Sequence, residues 1–476
     1  MTAVRRLDGW TVSGCVIAAL FLSVYPSSRL TAQDTSTIDR GVRIGIIYRP
    51  GVRPGFVMLP RKGMGLDSVR AIVARDLDYS DRFEVITLPG GDSIRLAAPP
   101  GTTPRSRSTT RPPSGTTTRG GAQTTAGTLN YPLYQALGAD FALDVTAAAD
   151  TTVVTLHDVA AGGVRRALRA RLPAAGNPDF RQAVHRLSDQ VLQAALGTPG
   201  FAATRVLFVK DGKVYQIDQD GADMKLVSSS DRQAMSPAWA TDGRRFSYME
   251  FQAGKGQLFV QEMTSGRRTA VATTGQGLDF TPAFSPDGQT LAFSRATEEG
   301  TDLYMLNVKD NCCLRRLTVG RLYDNLSPTF SPDGQRIAFV STRPGLPQIY
   351  VMAADGTDQQ LFAPFDYGVT GSSNAPEWSR DGQSVAFHRD VAGTLQVFVL
   401  DVRTRTVRQL TSVGRNEDPT WAPDSRHLAF VSDRSGYRQL WIIDLDTGRI
   451  RPLLQQSGAR LPAWSPRLSE ATSSTP

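Results

Sequence analysis

Six short segments in the second half of the chain repeat one pattern at near-constant spacing, and this repeat limits the fold more than any other feature. Pro237, Pro282, Pro328, Pro376, Pro419 and Pro462 follow one another at intervals of 45, 46, 48, 43 and 43 residues. Two residues after each proline stands an aromatic: Trp239, Phe284, Phe330, Trp378, Trp421 and Trp464. In the first four copies an Asp-Gly pair follows, at Asp242-Gly243, Asp287-Gly288, Asp333-Gly334 and Asp381-Gly382, and the fifth carries Asp424-Ser425. Proline presets φ, aspartate bonds back to the backbone and glycine accepts positive φ, so Pro-Asp-Gly reads as a tight turn. The aromatic reads as the inward residue of a short strand before that turn. An alternating strand follows, such as Ile337-Ala338-Phe339-Val340, then a third such as Ile349-Tyr350-Val351-Met352, then a turn and a fourth.

Four strands in 43–48 residues is the period of a β-propeller blade. The sixth first-strand motif, at Pro462, has no further strands after it. Conversely, 205–209, 213–217 and 224–227 are three strands with no first strand before them. The strand at 462–465 is therefore expected to complete the blade begun at 205–227, closing a ring of six blades and removing two sheet edges. Asp218-Gln219-Asp220-Gly221-Ala222-Asp223 superficially fits a calcium loop. It lacks the acid at the twelfth position and falls in register with a third-to-fourth-strand turn, which is the reading taken.

The first half has a different grammar. Residues 42–48 and 56–59 are strand-like. Asp67 is placed to cap a helix whose apolar positions Val69, Ile72, Val73 and Leu77 have helical spacing. A strand at 83–86, a short helix near Leu133 and Leu137, and strands at about 140–146, 151–158 and 164–172 follow. A second helix runs from Pro178 to Leu196, with Pro178 in its first turn and Gly197 as its stop. Residues 97–128 interrupt this α/β region with ten Thr, five Pro, five Gly, four Arg and three Ser, and no Val, Ile, Leu, Met or aromatic residue. Such a segment has almost nothing to bury and reads as a disordered insertion that could be deleted with little effect on stability.

Residues 1–32 read as an export signal: Arg5 and Arg6, an apolar run from Cys15 to Tyr25, and Ala32 at the cut. Cleavage there leaves a periplasmic protein whose remaining cysteines are Cys312 and Cys313. These neighbours could close a disulfide in an oxidising compartment; a plain turn between strands is the simpler reading.

The formal net charge of +8 invites a nucleic-acid reading until it is located. The signal carries +2 and the insertion +4, leaving +2 for everything else and no basic face. Three Cys and four His do not make a thiolate cluster or a multi-histidine metal centre, so neither cofactor nor metal is expected. His157 and His185 read as packed or surface histidines, and His388 and His427 as strand positions in separate blades. No Gly-x-Ser-x-Gly occurs and no catalytic triad is visible, so no enzyme activity is expected. The alternatives are the propeller of a secreted hydrolase, or a periplasmic propeller that binds a sugar or metabolite.

Together these motifs resemble the TolB family. The repeats are similar to its propeller repeat, and Asp67–Leu77, Phe83-Glu84-Val85 and Tyr131–Asp140 are similar to its amino-terminal domain. The resemblance implies an α/β N-terminal domain over 33–198, a six-bladed β-propeller over 199–468 and a short disordered tail over 469–476. It further implies a protein-binding scaffold of the Tol-Pal envelope system, supporting outer-membrane integrity and constriction at division. The peptidoglycan-associated lipoprotein Pal would dock at one mouth of the propeller and TolA on the mature N-terminal segment, with other outer-membrane proteins as further partners, no nucleic acid and no integral membrane segment. The insertion and the Arg49–Pro60 stretch depart from the family pattern.

Residues just before each leading proline are expected to join the fourth strand of one blade to the first strand of the next and so to crowd one channel mouth. Asp279, Thr281, Asn325, Ser327, Asn374, Ala375, Glu417 and Asp418 are the candidate partner-binding residues, with solvated loop ends as the plain alternative. Charge reversal at Glu417 and Asp418 is expected to weaken binding and spare stability.

Overall fold

The computed structural model describes residues 53–60, 66–86, 88, 129–229, 231–252, 255–273, 277–365 and 370–468. The expected export signal over 1–32, the strand expected at 42–48, the insertion expected at 97–128 and the tail expected over 469–476 lie outside the described residues.

Among the described residues, three helices and five strands build the α/β domain: β1 (Gly55–Met58), α1 (Asp67–Tyr79), β2 (Glu84–Ile86), α2 (Tyr131–Ala136), β3 (Ala139–Ala148), β4 (Thr151–Asp158), β5 (Gly163–Ala170) and α3 (Phe180–Leu196). The sheet order is β2-β1-β3-β4-β5, with β1 parallel to both β2 and β3 and the other pairs antiparallel. Helices α1 and α3 lay their apolar stripes on this sheet. Val69, Ile72, Val73 and Leu77 meet Val184, Leu187 and Val191 over Phe56, Phe141 and Leu143. The helix ends differ from expectation in detail. Asp67 is the first helical residue rather than the cap and pairs with Arg70 at 3.0 Å. Pro178 precedes the N-cap Asp179, while Gly197 does end the helix, with φ at 76°.

The repeats form six four-stranded antiparallel sheets. Blades 1 to 5 span 233–270, 278–316, 325–361, 373–409 and 416–454. Blade 6 is assembled from both ends of the repeat region: Arg460–Trp464 pairs antiparallel with Arg205–Lys210, which continues into Lys213–Asp218 and Lys225–Leu226. Each first strand packs against the first strands of both neighbouring blades, so the six ring the central channel. The closing strand behaves as the repeat predicts.

The aromatic after each proline is buried between blades. The indole of Trp239 donates to the Ala463 carbonyl at 3.1 Å, and that of Trp421 to the Glu377 carbonyl at 3.0 Å. Trp464 donates to Thr204 Oγ1 at 2.9 Å. The first two contacts tie a blade to its neighbour, and the third anchors the closing strand to the segment leading into the second strand of its own blade, each through a large apolar body with one polar handle. The Asp-Gly turns form as read: Asp333 Oδ1 accepts from the Ser331 hydroxyl and the Gln335 amide, and Gly334 has φ 72°.

Candidate partner-binding face of the propeller

A four-stranded meander puts its 1→2 and 3→4 turns at one end and its 2→3 and 4→1 connections at the other. The α/β domain docks on the first of these ends. The end of α1 and the face of α3 meet the 3→4 turn of blade 6 and both turns of blade 5. Arg449 binds Asp78 through two parallel contacts and also Asp81 at 2.9 Å. Arg451 stacks 3.9 Å over the Tyr79 ring and donates to the Gln219 carbonyl at 3.2 Å. Arg426 reaches the Asp81 carbonyl, and His427 Nε2 lies 3.3 Å from Asp81 Oδ2.

A second network lies alongside. Asp76 of α1 holds His185 of α3 at 2.8 Å and accepts from Ser188 at 2.6 Å. Gln182 and Arg181 donate to Asp218 of blade 6, and Arg181 also binds Asp220. Burial alone would depress the fully buried His185 imidazole, but the Asp76, Asp218 and Asp220 carboxylates outweigh it and raise the pKa to about 10. His427 is likewise raised, burial being outweighed by Asp424, Asp81 and Asp444. The clusters Asp76/His185/Asp220 and Asp81/His427/Asp444 have spacing suited to a cation. Arg181, Arg426 and Arg449 already neutralise their carboxylates, so the chemistry is that of a buried ion-pair seam. Reading 218–223 as a turn agrees with the structure, but its carboxylates serve as docking ligands for α3, a role with no local sequence signal. The same holds for His185 and His427.

The opposite end carries the candidate residues, with a correction to their placement. They lie within the first strands, not in the connections. Each first strand bulges at the residue before proline: Ser236, Thr281, Ser327, Ala375, Asp418 and Leu461 have φ between 45° and 55°. The ladder slips register at the same place in every blade. Proline has no N–H to give the ladder, and the preceding residue takes the extra turn. Two bulge amides are capped from the previous blade: Ser327 N–H donates to Ser294 Oγ at 3.0 Å and Asp418 N–H to His388 Nδ1 at 3.1 Å.

Because the bulge interrupts the alternation of the strand, the candidates separate into two kinds. Asp279 and Asn325 are buried. Asp279 faces Arg295 at 3.7 Å, with its carboxyl raised by burial. Asn325 bridges Asp302 at 3.0 Å and Arg343 at 3.1 Å. Thr281, Ser327, Asn374, Ala375, Glu417 and Asp418 are half-buried. Glu417 binds Arg415 at 3.1 Å and Arg438 at 3.3 Å. Burial first, then the neighbouring Glu417 charge, push the Asp418 carboxyl up to about 6. Burial, then Arg415, hold His388 down at about 4, so it is a neutral acceptor at pH 7. A Glu417/Asp418 reversal would break the Glu417 ion pairs and alter a bulge residue, so some loss of stability is expected beside any effect on binding, where the sequence alone led us to expect none.

The exposed chemistry of this end lies in its connections. Seven of the nine exposed large apolar residues described in the propeller are here: Val319, Leu322 and Val413 in 4→1 connections, and Phe251, Leu346, Val391 and Tyr437 at 2→3 hairpins. Leu322 is 96% exposed. This end thus carries most of the exposed large apolar side chains described in the propeller, together with the ion-paired Arg415, Arg438 and Glu417. Sequence reasoning missed them because they are isolated apolar residues in polar connections or at strand ends, with no shared motif, as in Val319-Gly320-Arg321-Leu322.

The model of the TolB beta propeller domain matches residues 193–467, more than half of the chain. The chain belongs to the TolB propeller family. It is 28% identical over 235 residues to the Tol-Pal system protein TolB of Francisella tularensis subsp. mediasiatica, covering 47% of this chain and 53% of that one. The protein of the same name from Francisella tularensis subsp. tularensis is also 28% identical, with 52% of it covered. The chain thus spans about half the length of the curated relatives it matches. The crystal structure of TolB from Acinetobacter baumannii superposes with a TM-score of 0.69 at 22% identity, covering 88% of this chain and 98% of that one. That likeness carries the fold: a small α/β domain followed by six blades. No described helix is long and apolar enough to cross a membrane.

Proposed function

We propose that this TolB-family chain is a periplasmic, non-enzymatic scaffold of the Tol-Pal envelope system. Its propeller binds the peptidoglycan-associated lipoprotein Pal, and its mature N-terminal segment binds TolA. In this role it supports outer-membrane integrity and constriction during division. The domain limits proposed are a signal over 1–32, the α/β domain over 33–198 with its insertion at 97–128, the propeller over 199–468 and the tail from 469. The observation carrying this reading is the asymmetry of the propeller. One end is occupied by the α/β domain through a buried ion-pair seam, and the other presents seven of the nine exposed large apolar side chains described in the propeller, with ion-paired Glu417 at the same end. Thr281, Ser327, Asn374, Ala375, Glu417 and Asp418 shape the channel wall beneath that surface, while Asp279 and Asn325 hold it from within. The test is direct binding of purified mature protein to purified lipoprotein, with a glycan array alongside. Saturable lipoprotein binding supports the scaffold; glycan binding with no lipoprotein binding overturns it in favour of a sugar-binding propeller.

A further inference from the structure

Cys312 and Cys313 form a disulfide between adjacent residues at the start of the fourth strand of blade 2, Cys312–Arg316. The strand is irregular at that point. Asn307 pairs with Cys312 and Met305 with Arg315, so two steps on the third strand face three on the fourth. The extra residue belongs to the Cys312–Leu314 stretch, where Cys313 has φ 66°, directly after the turn residue Asn311 at φ 48°. The disulfide therefore staples a one-residue bulge. Cys313 is exposed and Cys312 half-buried.

Residues flanking the bulge hold the two neighbouring blades. On one side Asn311 mimics a strand residue: its Oδ1 accepts from the Ala272 amide at 2.8 Å and its Nδ2 donates to the Ala270 carbonyl at 3.0 Å, both after or within the fourth strand of blade 1. On the other side Arg315 donates to the Asp355 and Ala354 carbonyls of the blade 3 turn, at 3.2 and 3.4 Å. The offset between Asn311 and Arg315, and so the fit of both clasps, depends on the bulge that the disulfide closes.

We propose that Cys312–Cys313 is a thiol–disulfide exchange site, cleaved by a dithiol reductant, whose redox state sets how firmly blade 2 is clasped to its neighbours. A donor thiolate attacks exposed Cys313 Sγ, the S–S bond breaks, and Cys312 leaves as a thiolate that takes up a proton. The donor's second thiol then displaces Cys313 from the mixed disulfide. The protein gains two thiols, and the donor, oxidised by two electrons, leaves as its own disulfide.

The test uses the full mature protein and dithiothreitol as the dithiol. Trypsin releases 310–315 with both cysteines. After blocking free thiols before digestion, this peptide should appear unalkylated and lighter by two hydrogens in untreated protein, and doubly alkylated after dithiothreitol treatment of the folded protein. Hydrogen exchange at the Ala272 amide should then accelerate about tenfold, the scale of losing a pair of hydrogen bonds. Exchange in blade 5 should stay unchanged. The Cys312→Ser/Cys313→Ser variant should show the fast rate without reductant. Alkylation of both cysteines in untreated protein, or reduction with no change at Ala272, would overturn the proposal.

Discussion

Arg449 of blade 5 grips Asp78 of the α/β domain through two parallel bonds, Nη1 to Oδ1 at 3.1 Å and Nη2 to Oδ2 at 2.9 Å, across a separation of 371 residues. The same guanidinium holds Asp81, which is 2% exposed and faces His427 on its other side. Fork-to-fork geometry of this kind depends on a planar guanidinium. Arg449→Ala should cost about 2–3 kcal/mol, mostly by leaving the buried Asp81 short of a partner. Arg449→Lys should recover only part of it. Urea unfolding checks both; full recovery by lysine would mean that charge alone matters.

The His185 imidazole gives the seam a pH dependence. Its folded pKa, about 10, lies above the ordinary value of 6.5. Its stabilisation is therefore complete below about pH 6.5 and is lost as pH rises through 10. Melting temperature should fall between pH 7 and 10, and His185→Gln should flatten that fall while lowering stability at pH 7. A variant with the wild-type alkaline slope would show that another group titrates.

Ring closure rests on the last strand. Trp464 is fully buried and its N–H reaches Thr204. Trp464→Ala should cost about 3–5 kcal/mol. Truncation before Leu461 should remove the partner of Arg205–Lys210 and open the ring. A soluble truncated protein with an unchanged melting temperature would contradict this closure.

The bulge before each proline predicts a stabilising change. Ala375 has φ 52°, a conformation that an L side chain adopts at a cost of roughly 1 kcal/mol and glycine adopts freely. Ala375→Gly should leave stability unchanged or raise it by up to about 1 kcal/mol, net of glycine's entropy in the unfolded chain. A clear drop in melting temperature would mean that the methyl group packs more than it strains.

What could be read from the sequence was local or periodic. The six prolines, the aromatics two residues later and the Asp-Gly turns each act within a few residues, and their period carried the blade count and the closure. The bulge was hidden because a residue before proline ordinarily favours extended backbone, and Ser, Thr, Ala, Asp and Leu at that place share no side-chain chemistry. Burial of Asp279 and Asn325 was hidden for a related reason. One extra bulge residue shifts which strand positions face inward, so counting from the proline misassigns them. The docking seam had no signal at all: Asp76 with His185, Asp78 with Arg449 and Asp81 with His427 are pairings of long sequence separation made only by the fold.

The central claim is that partners dock on the propeller end away from the α/β domain. The most direct measurement is lipoprotein affinity for a Leu322→Glu/Val413→Glu variant, with Asp355→Lys on the opposite end as the comparator. Both leucine and valine are exposed, so the melting temperature should hold. The account predicts binding weakened at least about tenfold by the double change, the scale of losing two apolar contacts, and unchanged affinity for Asp355→Lys. Wild-type affinity in a folded Leu322→Glu/Val413→Glu variant would contradict it.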